Sequence, residues 1–320
     1  MLKNRQFHTK LLLDIDKLLR ITENNKVNTI KSEGTLMTYV LFNDSILDEA
    51  DVAISYKDRG YHFGDGVYEV IRVYNEEFFT LDEHIDRLYE SAAKIELAIP
   101  YEKEILKKLL HDYKTKVQTV NGSIYLQITR GVADRNHLYT KNEEPVILGF
   151  DLPDKGVSQK QEQGVAAYVT EDVRWLRCDI KSINLLGNVM AKRKAFDHDC
   201  DEAILYRDTG VTEGSSSNLF LVNNQTLYTH PANNLILNGI TRQEIVAIAS
   251  DLGLTVIEEP FPKEVLLHAE EAFISSTSLE IVPIHSFKGD IETTLNVGPV
   301  TKKLQHAFQE RVTKKTNASV

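Results

Sequence analysis

The chain has 320 residues, enough for two hydrophobic cores, and its 42% hydrophobic and 26% charged residues are those of an ordinary globular protein. A formal net charge of -10 argues against a general affinity for nucleic-acid phosphates or anionic membranes, so neither partner is expected. The two cysteines, Cys178 and Cys200, form no CxxC pair and no zinc-type cluster, which excludes a disulfide scaffold and leaves no metal site to expect. No apolar run approaches the roughly 20 residues of a membrane span. Leu11, Leu12 and Leu13 are interrupted at once by Asp14 and Asp16, so no signal peptide is read there and a cytoplasmic location is expected.

Residues 1–36 read differently from the rest. Leu12, Leu13, Ile15, Leu18 and Leu19 recur at roughly helical spacing before a polar stretch, which predicts a short amphipathic helix on a lead whose basic residues form a solvated face. From Met37 the pattern is denser. Strands are predicted at 39–42 and 67–74, then a helix after Thr80 with Ile85, Leu88, Tyr89, Ala92 and Ile95 on one face and Pro100 beyond it. A second helix carries Ile105, Leu106, Leu109, Leu110, Tyr113 and Val117; Ile124, Leu126 and Ile128 then alternate as a strand, and 146–150 is a short buried-type strand. Residues 151–164, polar and holding Pro153, Gly156 and Gly164, read as a linker. Strands at 165–169, 203–206 and 219–222 follow, with helices at about 188–197 and from Thr241. Two α/β domains joined near 151–164 is the simplest organisation.

No GxGxxG, P-loop, HExxH or GxSxG motif occurs, and the histidines lack ligand spacing; His84 and His111 read as surface or boundary residues. Three segments combine unusual polarity with element boundaries. The run from Asp58 to Glu69, with Gly60, Gly64 and Gly66, reads by itself as a hairpin with a core tyrosine, Tyr68. Lys181 lies in the mostly uncharged run from Arg177 to Leu186, where it is either an ordinary surface lysine or an amine nucleophile. Ser215, Ser216 and Ser217 are either a polar turn or a set of donors for an anion. Downstream, Thr241-Arg242-Gln243-Glu244 has the form of a capping box, and a helix N-terminus there would present free N–H groups to a phosphate.

Together these segments resemble the fold-type IV family of pyridoxal-phosphate enzymes, which holds branched-chain aminotransferases, D-amino acid transaminases and aminodeoxychorismate lyases. The blocks DRGYHFGDGVYE, EHIDRLYES, WLRCDIKSINLLGNVMAK, VTEGSSSNLF, YTHPANNLILNGITR and ISSTSLEI stand in the family's order and spacing from Met37 to near Gln309. The resemblance implies an α/β (α+β) fold of two domains, a smaller one over 37–155 and a larger one over 156–320, with the cofactor cleft between them. It also implies pyridoxal 5'-phosphate as cofactor and a homodimer with sites near the subunit interface. By position, Lys181 matches the Schiff-base lysine and Glu213 the carboxylate that pairs with the pyridine nitrogen, which keeps the ring able to accept electrons. Tyr68 matches the tyrosine near the cofactor oxygen and the substrate carboxylate, and Arg87 the phosphate-binding arginine. Ile240 and Thr241 match the phosphate cup, Thr277 adds a hydroxyl, and Ser216 lies next to the cofactor.

Within the family, Arg135 and His137 match the Arg-x-His pair that captures the substrate α-carboxylate in the D-amino acid-specific members. That implies ping-pong transfer of an amino group between a D-amino acid (D-alanine, D-glutamate or D-aspartate) and pyruvate or 2-oxoglutarate, serving cell-wall precursors. The alternatives are a branched-chain L-amino acid aminotransferase or aminodeoxychorismate lyase and, in another class, a non-catalytic pyridoxal-phosphate carrier. Three departures stand out. Arg72 replaces a frequent lysine, Ser278-Leu279 replaces a Thr-Ser pair, and the 36-residue lead precedes Met37, where relatives begin. The lead is therefore expected to be an extension that is added or mis-assigned.

Overall fold

The computed structural model describes residues 38–154 and 156–317, the side chain of Asn317 excepted; the expectations for the lead and for Met37 fall outside those residues. Alternating apolar residues build the first half: β1 (Tyr39–Phe42), β2 (Ser45–Asp48), α1 (Arg59–Phe63), β3 (Gly66–Tyr74), β4 (Glu77–Phe78), α2 (Leu81–Lys94), α3 (Lys103–Val117), β5 (Gly122–Thr129) and β6 (Val146–Pro153). These strands form one sheet in the order β2-β1-β6-β5-β3-β4, every neighbouring pair antiparallel. Successive strand side chains point to opposite faces. Val67, Ile71 and Val73 of β3 therefore enter a core with Ile85 and Leu88 of α2 and Leu106 and Leu110 of α3. The other face keeps Tyr68, which stacks on Tyr125 at 5.5 Å, and Tyr125 in turn stacks on Phe150 at 4.8 Å.

The second half comprises α4 (Ser158–Gln163), β7 (Val165–Glu171), α5 (Leu186–Phe196), β8 (Glu202–Arg207), β9 (Gly210–Gly214), β10 (Asn218–Asn223), β11 (Thr226–Thr229), α6 (Ile240–Asp251), β12 (Thr255–Glu258), β13 (Glu271–Ser276), β14 (Glu280–Gly289), β15 (Thr293–Thr294) and α7 (Pro299–Asn317). Its sheet runs β12-β11-β10-β13-β14-β7-β8-β9, with β15 on β14. The pairs β11–β12, β14–β7 and β7–β8 are parallel. Together the described residues make one compact unit. Phe79, just before α2, packs into the core that Phe220, Ile245 and Phe308 share. Tyr74 at the end of β3 donates its hydroxyl to Glu280 of β14 at 2.8 Å, and Gln161 of α4 donates to the same carboxylate at 2.7 Å.

Four sequence expectations change. Residues 151–153 complete β6 and Ser158–Gln163 is a short helix, so the linker is shorter than read. The glycine-rich run before Tyr68 is a helical turn, not a hairpin: Asp58 caps α1, and Gly64 ends it at φ 66°, a left-handed conformation that glycine adopts without strain. Helix α6 starts at Ile240 with Gly239 as its N-cap, so Thr241 does not cap it. The Glu244 carboxylate, the other half of the expected capping box, accepts instead from Lys315 at 2.7 Å. Finally, His84 is buried, not a boundary residue, because a carboxylate inside the first core claims its ring.

Candidate active site

A cleft of about 300 Å³ opens where the start of β3 meets the second sheet, and Lys181 lies in its wall. The segment that carries Lys181 runs beside the first residues of β3. Tyr68 N–H donates to the Lys181 carbonyl at 3.0 Å, and Ile183 N–H donates to Gly66 O at 3.1 Å. The backbone N–H of Lys181 donates to Ser91 Oγ of α2 at 3.2 Å. With the backbone held from two sides, Lys181 Nζ sits over the Tyr68 ring, 4.2 Å from its centroid. Among the described residues no carboxylate forms an ion pair with it.

Glu213, near the end of β9, faces the same cleft and is buried. Arg174 Nη1 donates to its Oε1 at 2.7 Å, while Asn218 Nδ2 and Leu237 N–H donate to Oε2 at 3.0 and 3.1 Å. Burial pushes the Glu213 carboxyl up to about 7, even though Arg174 pulls it down. Arg174 is itself shared with buried Asp172, 2.9 Å from its Nη2. The carboxylate is thus held in place but not fully compensated, and a further positive charge in the cleft would stabilise its ionised form.

Arg87 of α2 reaches the cleft from the side of the first sheet. Its Nε and Nη2 donate to the two oxygens of Glu69 at 2.7 and 2.8 Å, and Nη1 donates to Asn238 O at 3.1 Å. His84 Nδ1 shares a hydrogen bond with Glu69 Oε2 at 2.8 Å. Burial alone would raise the Glu69 carboxyl, but Arg87 and His84 outweigh it and hold the group well below the usual carboxylate range. Burial, partly opposed by Glu69, moves His84 down. Glu69→Gln strips Arg87 of its counter-charge, and breaking a buried ion pair costs about 3–5 kcal/mol. Urea unfolding at neutral pH should show that loss. The gap from the parent should begin to narrow as the pH falls below about 4, because the unfolded parent then binds a proton on Glu69 that the folded, depressed carboxylate still refuses.

Next to Arg87 lies the start of α6. Gly239 lines the cleft and leaves the first N–H groups of the helix without a side-chain cap. A Cβ on Gly239 would stand 2.2 Å from Asn218 Oδ1, so a larger residue would push aside the Asn218 amide that donates to Glu213. Ser275, on β13 opposite Asn218, also faces the cleft, and its buried Oγ has no hydrogen-bond partner among the described residues.

The structure therefore brings Lys181, Tyr68, Glu213, Arg87 and Ser216 to one cleft. Ile240 and Thr241 are buried just behind Gly239, and Thr277 is half-buried in the turn that follows Ser276; the cleft itself meets Gly239, Ser275 and Ser276. Arg135 and His137 are exposed and do not line it. Their loop is tied down by Arg59, whose Nη1 donates to Asn136 O at 2.6 Å, and Arg135 stacks over Phe63 at 5.2 Å. Sequence reasoning missed Glu69, Arg174, Glu202 and Ser275. Glu69 carried a signal, as a lone carboxylate in the apolar run Val67-Tyr68-Glu69-Val70-Ile71. Cys178 also lines the cleft, but burial pushes its thiol up to about 11, which keeps it protonated and a poor nucleophile.

One cleft is lined by a lysine that has no ion pair among the described residues and by a buried carboxylate, an arrangement that suits the transfer of a group through an amine. Residues 66–287 match the amino-transferase class IV family, and the chain belongs to that family. It is 44% identical over 281 residues to the D-alanine aminotransferase of Bacillus licheniformis, covering 88% of this chain and 99% of that one. It is 47% identical over 285 residues to the D-alanine aminotransferase of Listeria innocua serovar 6a, covering 85% and 96%. Among solved structures, the branched-chain amino acid aminotransferase of Escherichia coli superposes with a TM-score of 0.79 at 27% identity over 86% of this chain and 94% of that one. The branched-chain aminotransferase of Thermoproteus uzoniensis with norvaline gives 0.76 at 28% identity over 85% and 94%.

Proposed function

We propose that this chain is a D-amino acid aminotransferase of the D-alanine type that uses pyridoxal 5'-phosphate to move an amino group between a D-amino acid and a 2-oxo acid. The observation that carries the reading is Lys181 Nζ, without an ion pair among the described residues, in one cleft with the buried and under-compensated carboxylate of Glu213. Identity to D-alanine aminotransferases over nearly their whole length supports the substrate class.

The residues present fit the cofactor at three points. Glu213 suits a protonated ring nitrogen. Arg87 and the uncapped start of α6 suit a phosphate, with the unpartnered Ser275 hydroxyl and Thr277 nearby. Lys181 suits an aldehyde. When bound, pyridoxal phosphate supplies a carbonyl that takes up an amino group and a ring that draws electrons from the neighbouring Cα–H bond.

The rest falls to the chain. Lys181 Nζ would hold the cofactor at its carbonyl carbon and, once released, would carry a proton within the cleft. Glu213 would hold a proton on the ring nitrogen, and Arg174 keeps Glu213 in position to do so. Glu69 orients Arg87, Ile240 and Thr241 contribute N–H groups to the phosphate end, and Tyr68 and Ser216 wall the cleft. The amino group arrives with one substrate and leaves with the other, which makes the kinetics ping-pong. No helix among the described residues is long and apolar enough to cross a membrane, and both cysteines are free thiols, which supports a cytoplasmic enzyme.

The test is the visible absorbance of the purified protein with its cofactor. D-Alanine should bleach the band of Lys181-bound cofactor and L-alanine should not. Bleaching by L-amino acids alone would move the chain to the branched-chain enzymes.

The working form is a homodimer in this reading. Helix α5 turns Leu186, Val189, Met190 and Phe196 to solvent, each more than half exposed, with Trp175 and Leu176 also exposed. A monomer rarely keeps so much apolar surface in one place. The Arg135–His137 loop, outside its own cleft, then serves the substrate carboxylate in the cleft of the second copy. Co-expressed Lys181→Ala and Arg135→Ala chains should regain activity that neither has alone, since the mixed dimer holds one complete site. No recovery on mixing would sink the shared site.

A further inference from the structure

Glu202 opens β8 directly behind the three-serine turn, and its side chain is entirely buried. Ser216 Oγ donates to its Oε2 at 2.9 Å and Ser217 Oγ donates to the same oxygen at 3.1 Å. Ser215 Oγ donates to Oε1, and Ala203 N–H donates to Oε1 at 2.9 Å. Lys192 of α5, which lines the cleft, brings its Nζ to 3.4 Å from Oε1. The turn does supply donors to an anion, as its sequence allows, but that anion is a carboxylate of the same chain.

The consequence is a matter of hydrogen-bond direction. A carboxylate can only accept, so each of the three hydroxyl protons must point at Glu202. A serine oxygen whose proton is committed inward offers only lone pairs on its other side. Ser215 and Ser217 are buried, whereas Ser216 is exposed on the cleft wall a few residues from Glu213.

We propose that Glu202 is a positioning residue that makes Ser216 a hydrogen-bond acceptor toward the cleft, so that this wall receives an N–H donor of the bound cofactor or substrate and turns away anionic groups. The inference rests on the reading that Lys181 carries the cofactor. It also gives the cleft a direction: phosphate belongs at the Arg87 and Gly239 end, and nitrogen donors belong at the serine turn.

Glu202→Gln is the discriminating change. The glutamine keeps the size of the side chain but must place an NH₂ group on one side. Ala203 N–H is a backbone donor that cannot rotate, so the amide oxygen has to stay at the Oε1 position. The NH₂ then faces Ser216 and Ser217, and both hydroxyls must reverse to accept from it, which turns the Ser216 proton toward the cleft.

The experiment uses the full-length protein loaded with pyridoxal phosphate. Its readouts are the cofactor dissociation constant and the visible circular dichroism of the bound cofactor, alongside activity. For Glu202→Gln we expect a folded protein that retains the lysine-bound absorbance band, a dissociation constant raised about tenfold or more, and a changed dichroism signal. Adding Ser216→Ala removes the reversed donor, so the double variant should recover toward Ser216→Ala alone. An unchanged dissociation constant and dichroism in Glu202→Gln, or losses that add in the double variant, would overturn the proposal. If Glu202→Gln does not fold, Glu202→Asp keeps the charge but is too short to reach all three serines. The same weakening is expected there, and parent-like binding would overturn the proposal equally. Failure of the underlying reading shows separately, as a Lys181→Ala protein that still carries the parent's absorbance band.

Discussion

Lys181→Ala is expected to abolish the lysine-bound cofactor absorbance and to lower turnover by about 10²–10⁴-fold or more, the usual contribution of a positioned proton-transfer group. The fold should survive. The Lys181 side chain makes no ion pair among the described residues, and the backbone bonds that hold its segment, from Tyr68 N–H to its carbonyl and from its own N–H to Ser91, do not involve Nζ. Thermal unfolding of the cofactor-free variant should therefore lie close to that of the cofactor-free parent. An alanine variant that kept the absorbance band would assign the cofactor to another amine.

Glu213→Gln should reduce kcat by on the order of a hundred- to a thousandfold while leaving the cofactor bound, because it removes a charge preorganised beside the reacting ring. The same variant carries a pH signature in the cofactor-free protein. The Glu213 carboxyl is raised from 4.5 to about 7 on folding. Its stabilising contribution is therefore complete below the unfolded value and is lost as pH rises through the folded one. The cofactor-free parent should match Glu213→Gln in acid and fall behind it between those two values, by on the order of 3 kcal/mol, with a constant gap at higher pH. Adding pyridoxal phosphate should shrink the gap, since a cation in the cleft stabilises the ionised carboxylate. Urea unfolding across pH, with and without cofactor, measures both effects. Parallel curves would mean that Glu213 ionises in the folded protein as it does in water.

Much of the fold was legible in the residues. The alternation in β3 and β5 and the 3.6-residue spacing in α2 and α3 are local signals, and the core they build contains or packs against the residues that the periodicity singled out, except Ile105, which is exposed. Boundaries were less secure where side chains compete for the same backbone. Thr241 and Glu244 have the form of a capping box, yet Glu244 is taken by Lys315, seventy-one residues away, and the cap falls to Gly239. The run before Tyr68 reads as a hairpin by its glycines, but Asp58 accepts from Gly60 N–H and starts a helical turn.

The site divides in the same way. Lys181, Glu213, Arg87, Tyr68 and Ser216 could be singled out by resemblance of the blocks that hold them, and the fold collects them around one cleft. Composition and motif spacing gave no hint of Glu202 or Arg174, because each matters through a contact that only the fold makes, Glu202 with the serine turn and Arg174 with Glu213.

What the chain determines by itself is therefore the set of strands and helices, and the order in which lysine, carboxylate and serine turn occur along it. Those follow from spacing and from the preferences of neighbouring residues. Only the packed structure decides which carboxylates lose water, that Glu69 meets Arg87 and His84 while Glu213 is left short of positive charge, and which way the serine protons point. Ionisation and hydrogen-bond direction depend on burial and on the groups within a few ångströms, and only the packing of distant segments supplies those.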